Sequence, residues 1–481
     1  MADNGKKVEA TTGVLIKSSF WYTVSGFFSR AAVFLTTPLF TRLLTNEQYG
    51  NFTVFASWQV ILLSICGLEV YATINRARFD YTTQDELNGY ITTSLLLSTI
   101  FTAVVFALYL LFPALLQRVF LIDHKYMIFM FFYLLTYPAF GMFQAKQRIE
   151  YKYKLNAAIT FAIVLGSTIL SVLLAVLLEE DRLWGRIIGQ YGLYIIAGLV
   201  FYISFLVKSV SIKSEYLKYA LRLSIPLVFT YLGSSILLSS DNLVLKHMCS
   251  AEEVSYLSIT HTCAQIMLIL VQLLNNAWSP WFYDKLKTQE YEEIRKTFRV
   301  YVLLVIIGTF AVISIAPEII MVLGGKNYLE AIYIIPVNIL NGIFSVLTYQ
   351  LASLETYYMK PEYSAIITGC VAVINIFLDI IGVNIWGYRA VCYATLVCQV
   401  LLVSAHYFFT RKMGVAKILP FRDLCLFTIA SIILIPVAFI LYQGNIIRWG
   451  IIGAIAIALV MVVLVKRKEI MIILKKDRLT K

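Results

Sequence analysis

The chain has 481 residues, of which 60% are hydrophobic and 14% are charged, and its mean hydropathy is +0.78. This composition excludes an ordinary soluble domain, whose apolar share is about half. The net charge of +12 is spread along the chain rather than gathered in one segment. We therefore expect anionic membrane lipid as a partner, and no nucleic acid.

Fourteen stretches are long and apolar enough to cross a bilayer, because about 20 apolar residues span about 30 Å of hydrocarbon. Their apolar runs are continuous rather than alternating, which favours helices over a barrel. The sequence therefore predicts an all-α integral membrane protein. The predicted spans are 18–40, 50–71, 90–116, 126–143, 155–178, 183–207, 222–240, 254–279, 298–322, 330–352, 363–383, 387–409, 423–442 and 446–465.

The positive charges alternate from one connection to the next. About 30 of the 40 Lys and Arg lie in the termini and every second connection, and about eight lie in the others, which predicts that the basic side is cytoplasmic. Both termini are then expected to be cytoplasmic. The longest connections, 72–89, 208–221 and 280–297, are predicted as cytoplasmic loops.

Three pairs of segments recur in the same order at an offset of about 200 residues, which is typical of an internal duplication. An even number of helices per repeat keeps both copies in the same orientation, and paired lobes of this kind are typical of transporters. The pairs are 45–50 with 250–255, Pro113 with Pro317, and Trp184-Gly185 with Trp386-Gly387.

The repeat predicts two pseudo-symmetric six-helix lobes followed by two further helices. The predicted divisions are an N-lobe over 1–210, a C-lobe over 211–412, and two helices with a basic cytoplasmic tail over 413–481. Chance similarity within a biased composition is the alternative explanation of the repeat.

Arg30 lies near the middle of the first predicted span, about 18–20 Å from Lys17 and Arg42 at about 1.5 Å per residue. A cation at that depth costs at least about 2.5–3.5 kcal/mol unless water, a partner or an anion compensates it. It either lines a cavity for an anionic substrate, since a guanidinium donates two parallel hydrogen bonds to phosphate, or forms an internal ion pair with Glu69.

Three other arginines lie at the outer ends of spans. Arg186 and Arg389 each follow a repeated Trp-Gly pair, and Arg42 closes the first span. Each is either an interfacial residue or a substrate contact toward the outer exit.

Polar residues inside apolar spans are the remaining candidates. Glu69, Asp379 and Asp241 could bind and release H⁺ or Na⁺, or could form hydrogen bonds between helices. His261, with Gln265 one turn later, begins a polar stripe on the eighth span that either joins neighbouring helices or binds sugar hydroxyls.

The sequence predicts no resident cofactor and no metal centre. The seven cysteines form no CxxC pair, and the four histidines form no cluster that suggests catalysis. There is no GxxxxGK[ST] segment for nucleotide binding. The outer connections are also too short to carry the catalytic loops of a polysaccharide polymerase or ligase, so we expect a protein that is not an enzyme.

Several segments resemble those of polysaccharide biosynthesis proteins, the Wzx-type flippases of the multidrug/oligosaccharidyl-lipid/polysaccharide (MOP) exporter superfamily. The resemblance extends over essentially the whole chain and implies two six-helix lobes around a cationic cavity. The segments that carry it are 38–45 with 47–50, 224–227 with 240–242, and 386–390 with 393–395.

The resemblance implies a function in lipid-linked sugar export, in the bacterial cytoplasmic (inner) membrane. Such proteins flip undecaprenyl-diphosphate-linked oligosaccharides to the outer leaflet by alternating access, for O-antigen, capsule or exopolysaccharide assembly, beside polysaccharide polymerase machinery. Arg30 would then pair with the diphosphate or an acidic sugar. Two alternatives are an ion-coupled drug or small-solute antiporter of the same superfamily, although span 1 lacks the deep acidic residue that such antiporters often have, and a structural scaffold.

Overall fold

A computed structural model describes residues 12–150, 152–209, 212–358, 360–444, 448–450 and 453. This part of the chain is helical apart from short connections and contains no β-strand. Its α-helices are α1 (Thr12–Leu43), α2 (Asn46–Cys66), α3 (Val70–Asp80), α4 (Gln84–Leu111), α5 (Pro113–Phe120), α6 (His124–Ile149), α7 (Tyr153–Leu177), α8 (Arg182–Lys208), α9 (Ser214–Met248), α10 (Ala251–Lys287), α11 (Tyr291–Ser314), α12 (Ala316–Leu323), α13 (Ile335–Tyr357), α14 (Pro361–Trp386), α15 (Arg389–Lys412) and α16 (Phe421–Gln443).

The all-α membrane fold predicted from the sequence is confirmed. Twelve helical segments of the described part are long and apolar enough to cross a membrane. Helix α1, the predicted first span, has 32 residues but is not among these twelve. The predicted fourteenth span and the basic tail fall almost wholly outside the described residues.

Helix starts follow from local side-chain chemistry. Thr45 and Thr83 each accept a hydrogen bond from the backbone N–H three residues later. In return, the side chains of Gln48 and Glu86 accept a bond from the backbone N–H of the cap residue. These reciprocal bonds satisfy two backbone donors that the first turn of a helix leaves free. The connections before α2 and α4 are therefore short, which holds consecutive helices close together.

The second predicted span is a broken helix. Helix α2 ends at Cys66, and Leu68 and Glu69 adopt left-handed backbone angles before α3 begins. Ser98 and Thr102 on α4 donate hydrogen bonds to the carbonyl of Cys66, so the break has partners inside the protein. Broken helices are tolerated at membrane depth where neighbouring groups satisfy the backbone in this way.

The predicted long cytoplasmic loops are largely helical, which corrects the prediction. Helices α3 and α4 leave only 81–83 between them, and α10 and α11 leave only 288–290. The predicted spans end where polar residues begin, because hydrophobicity alone defines them. A helix can continue past the bilayer edge, since its backbone hydrogen bonds do not depend on apolar side chains.

The helices pack as two groups that meet along shared faces. Helix α7 packs against α1 and α8 in the first half, while α15 packs against α13 and α14 in the second. Helix α2 contacts both α9 and α10 and so joins the two halves. Helix α16 is attached to the second half by the Arg299–Asp423 ion pair of 2.6 Å. The predicted domain boundaries at 210 and 412 remain predictions.

Candidate functional site

The two halves meet at Arg30, in the middle of α1. Its Nη1 donates a hydrogen bond of 2.6 Å to Oε1 of Gln272 on α10. Arg30 is exposed, and it forms no salt bridge with a carboxylate within the described ranges. Gln272 is a neutral amide, so this contact does not place a negative charge beside the guanidinium.

The predicted polar stripe on α10 leads to the same contact. His261, Gln265 and Gln272 are spaced by four and seven residues, which places them on one face of a helix. His261 and Gln265 are half-buried. Further along, Asn275 accepts a bond of 3.3 Å from Gln350 on α13. The stripe therefore contacts α1 at Gln272 and α13 at Asn275.

Arg42 joins the second half of the protein to the end of α1 that the sequence predicts to face outward. Its guanidinium donates to the carbonyl of Pro38 at 2.9 Å and to that of Val322 at 3.2 Å. The neighbouring Thr41 hydroxyl donates to the carbonyl of Leu323. These bonds join the last turns of α1 and α12 beside a cavity of ≈480 Å³, which Arg182 and Lys326 also line.

A close backbone approach extends this contact. We name the region of residues 41–53, 250–258 and 322–327 the outer seam, after the side of the membrane that the sequence predicts for it. A Cβ atom placed on Gly50 would lie 1.6 Å from the carbonyl oxygen of Ala251. Asn46 donates to Glu252 at 3.3 Å and to the carbonyl of Asn327 at 3.2 Å. Only glycine allows α2 and α10 to meet at this distance.

Two buried acids form a second cluster among α9, α14 and α15. Asp241 and Asp379 are 5% and 0% exposed, and their carboxyl groups are close enough to interact directly. Thr395 donates a bond of 2.9 Å to Oδ2 of Asp241, and Ser240 donates one of 3.2 Å to Oδ1 of Asn375.

Several buried polar atoms of the acid cluster have no hydrogen-bond partner among the described residues. Within the described part of the chain, no donor reaches Oδ1 of Asp241 or either carboxylate oxygen of Asp379, and Nδ2 of Asn375 has no acceptor. Two buried carboxyl groups that interact inside a membrane disfavour the doubly charged state unless a cation compensates them. The arrangement therefore fits a shared proton or a monovalent cation such as Na⁺.

Arg186 lies in an aromatic cage at the junction of α1, α2 and α8. Its guanidinium carbon is 3.6 Å from the ring centre of Phe52, 4.2 Å from that of Phe40 and 4.6 Å from that of Tyr49. The residue is only 7% exposed. Rings at these distances stabilise a desolvated cation, so this guanidinium packs within the first half of the protein.

Arg389 and Glu69 lie apart from Arg30. Arg389 forms an ion pair of 3.1 Å with Glu330 and lies over the ring of Tyr333 at 4.1 Å. Glu69 is 2% exposed at the break between α2 and α3 and interacts with the Tyr71 hydroxyl. Arg30 thus contacts Gln272 and not the Glu69 that the sequence offered as its alternative partner.

The second half contains a buried histidine–glutamate pair that the sequence does not predict. Nδ1 of His406 lies 2.8 Å from Oε1 of Glu355, and the two side chains are 1% and 0% exposed. The residues are 51 positions apart on α15 and α13, so no spacing rule brings them together. Thr395 belongs to the family segment 393–395, but only its hydrogen bond to Asp241 indicates that it contributes to the acid cluster.

The family model for polysaccharide biosynthesis proteins matches residues 15–286, more than half of the chain. The chain belongs to this family. It is similar to a protein of the Lsg locus of Haemophilus influenzae, with 21% identity over 421 residues that cover 83% of this chain and 99% of that protein.

Solved structures of two membrane transport proteins share this fold. A lipid II flippase, MurJ, in an inward closed conformation matches with a TM-score of 0.64 and 16% identity over 93% of this chain and 99% of its own. An outward-facing multidrug resistance MATE transporter matches with a TM-score of 0.51 and 16% identity over 85% and 99%. At these identities the likeness concerns the fold.

Proposed function

We propose that this protein flips undecaprenyl-diphosphate-linked oligosaccharide from the cytoplasmic to the outer leaflet of the bacterial inner membrane. The observation that carries the proposal is the exposed Arg30 at mid-helix, which contacts a neutral Gln272 on the opposite half. A guanidinium binds phosphate oxygens through paired hydrogen bonds, so it suits the diphosphate of such a lipid. Family membership in polysaccharide biosynthesis supports the sugar-linked substrate.

Alternating access is the proposed mechanism. The outer seam closes one side of the interface between the halves, and its bonds run largely from side chains to backbone carbonyls. Such bonds can exchange for water when the seam opens, because each contributes only about 0.5–1.5 kcal/mol net. The head group would enter beside Arg30, and opening of the outer seam would release it while the polyprenyl chain stays in lipid.

Asp241 and Asp379 are the proposed coupling site for H⁺ or Na⁺. Their unused buried oxygens could hold the ion in one state and lose it in the other. Asp241 follows Ser240 and precedes Asn242, and Asn242 donates a 3.0 Å bond to Ser57 on α2. Binding of the ion at Asp241 would therefore act on the interface between the halves through the adjacent Asn242.

A cell experiment tests the proposed function. Deletion of the gene should abolish surface polysaccharide and accumulate the lipid-linked repeat on the cytoplasmic leaflet. The wild-type gene should restore display, whereas Arg30→Ala should restore membrane abundance without display. Arg118→Ala, on the exposed short helix α5, is the matched control and should restore both. Normal display with Arg30→Ala would remove the assigned role of that residue.

The alternative, an ion-coupled antiporter for drugs or small solutes, is favoured by the fold shared with the MATE transporter. It predicts that expression lowers accumulation of cationic dyes in an efflux-deficient host. It also predicts normal surface polysaccharide after deletion. The two functions therefore give opposite results in the same strain.

A further inference from the structure

A second cavity lies at the end of the bundle that the sequence predicts to be cytoplasmic. It has a volume of ≈210 Å³ and lies where α4 begins and where α6 and α8 end. None of its lining residues belongs to the outer seam, the Arg30 contact or the acid cluster. It therefore needs an explanation of its own.

Three lysines line this cavity. Lys146 is 6% exposed, and its Nζ donates a 2.7 Å bond to Oδ1 of Asn88. Glu150 lies 3.9 Å from Lys146 and 2.8 Å from Lys152. Lys152 and Lys208 both repel the Lys146 ammonium electrostatically. Three ammonium groups against one carboxylate leave an excess of positive charge that an anion would neutralise.

The other walls of the cavity are aromatic and amide groups. The rings of Phe143 and Phe201 stack with centres 3.9 Å apart at 13°, and the ring of Phe205 lies 5.9 Å from Nζ of Lys146. Gln147 is 7% exposed, and its Oε1 accepts no hydrogen bond from the residues that the structure describes. The cavity thus offers cations, one free acceptor and an apolar wall side by side.

We propose that this cavity binds the headgroup of an anionic glycerophospholipid that remains with the protein and is not transported. The phosphate would pair with Lys152 and Lys208, a glycerol hydroxyl would donate to Gln147, and the ester-linked chains would leave past Phe201. Basic cavities between helices at the membrane surface suit such headgroups. A free phosphate would make no use of the aromatic wall. The proposal does not depend on the flipping function.

The test compares phosphatidylglycerol binding by the purified full-length protein and its variants, measured by native mass spectrometry during lipid titration. Lys152→Gln with Lys208→Gln should weaken the tightest binding about 30-fold, since each basic residue near anionic lipid contributes about 1 kcal/mol. Both side chains are exposed, so folding should persist. The control pair, Lys154→Gln with Lys218→Gln, removes two exposed lysines that do not line the cavity and that the sequence predicts on the same side of the membrane. It should change binding less than twofold.

A steric variant separates the cavity from general surface charge. Ser204→Phe fills the cavity without changing its charge and should also abolish the tight binding, while phosphatidylcholine should bind no variant tightly. Three results would overturn the proposal: equal losses in the two lysine pairs, unchanged binding in Ser204→Phe, or displacement of the lipid by millimolar inorganic phosphate, which would indicate a plain anion site.

Discussion

The hydroxyl of Thr53 donates a hydrogen bond of 3.1 Å to the hydroxyl of Ser258, and the two residues are 205 positions apart. The same offset separates Thr45 and Ser250, which cap α2 and α10 by accepting the backbone N–H three residues later. Equivalent residues of two copies touch each other only where a twofold axis passes between them. For the duplication predicted from the sequence, the pseudo-symmetry axis would therefore run through the outer seam.

Gly50 is the position at which the outer seam is most easily tested. A Cβ there would lie 1.6 Å from the Ala251 carbonyl oxygen, so Gly50→Ala must push α2 and α10 apart. We predict that Thr53→Cys, in a Cys249→Ser background, reacts at least about fivefold faster with a membrane-impermeant maleimide when Gly50→Ala is added, since about 1 kcal/mol suffices for that shift.

The matched control for this experiment is Gly233→Ala. A Cβ at Gly233 meets no atom within 4 Å, so labelling of Thr53→Cys should not change. Equal labelling rates for the two alanine variants at normal protein abundance would show that the outer seam does not close the path.

The acid cluster predicts ion-dependent transport. Asp379→Asn keeps the shape of the side chain but removes the charge that a proton or Na⁺ would compensate. In this variant we expect the transport rate driven by an ion gradient to fall at least about tenfold. Its abundance in the membrane should stay normal. The rate is measured in vesicles with an imposed proton or sodium gradient.

Glu362→Gln is the control for the acid cluster, because it removes an exposed carboxylate from the same helix, α14. It should leave the response to the gradient unchanged. If Asp379→Asn transports with an undiminished response to both gradients, coupling must occur elsewhere.

Sequence patterns determine most of the fold but not its breaks. Apolar length and charge alternation predict the spans, and the cap residues Thr45 and Thr83 mark helix starts. The break after α2 depends on left-handed angles at Leu68 and Glu69. These residue types do not favour such angles, so the sequence does not indicate the break. Tertiary contacts stabilise it, such as the hydrogen bonds from the α4 hydroxyls to the carbonyl of Cys66.

The sequence names individual candidate residues, which remain predictions, but it does not indicate their contacts. An arginine within an apolar span, such as Arg30, is conspicuous because of its cost in lipid. Its partner Gln272 lies 242 positions away, so the pair depends on how the two halves dock. Arg186 also lies within a predicted apolar span, as Arg30 does, yet three aromatic rings from α1 and α2 enclose its guanidinium.

Arg186 should contribute to stability. Arg186→Ala would leave a void among Phe40, Tyr49 and Phe52, and large-to-small changes in packed regions cost about 2–4 kcal/mol. We expect a lower Tm and lower abundance in the membrane. Arg186→Met refills much of the space and should recover part of the loss in Tm. A normal Tm for Arg186→Ala together with lost transport would instead make Arg186 a substrate contact.

The most direct test of the account is lipid flipping by the purified protein in vesicles. Undecaprenyl-diphosphate-linked oligosaccharide is placed in the vesicles, and its exposure on the outer surface is followed by lectin binding. We predict that the wild-type protein equilibrates the lipid-linked sugar between leaflets, that Arg30→Gln slows this at least about tenfold, and that empty vesicles show none. Equal rates for the wild-type protein and empty vesicles, at confirmed insertion and with the host's own glycan as substrate, would contradict the proposed function.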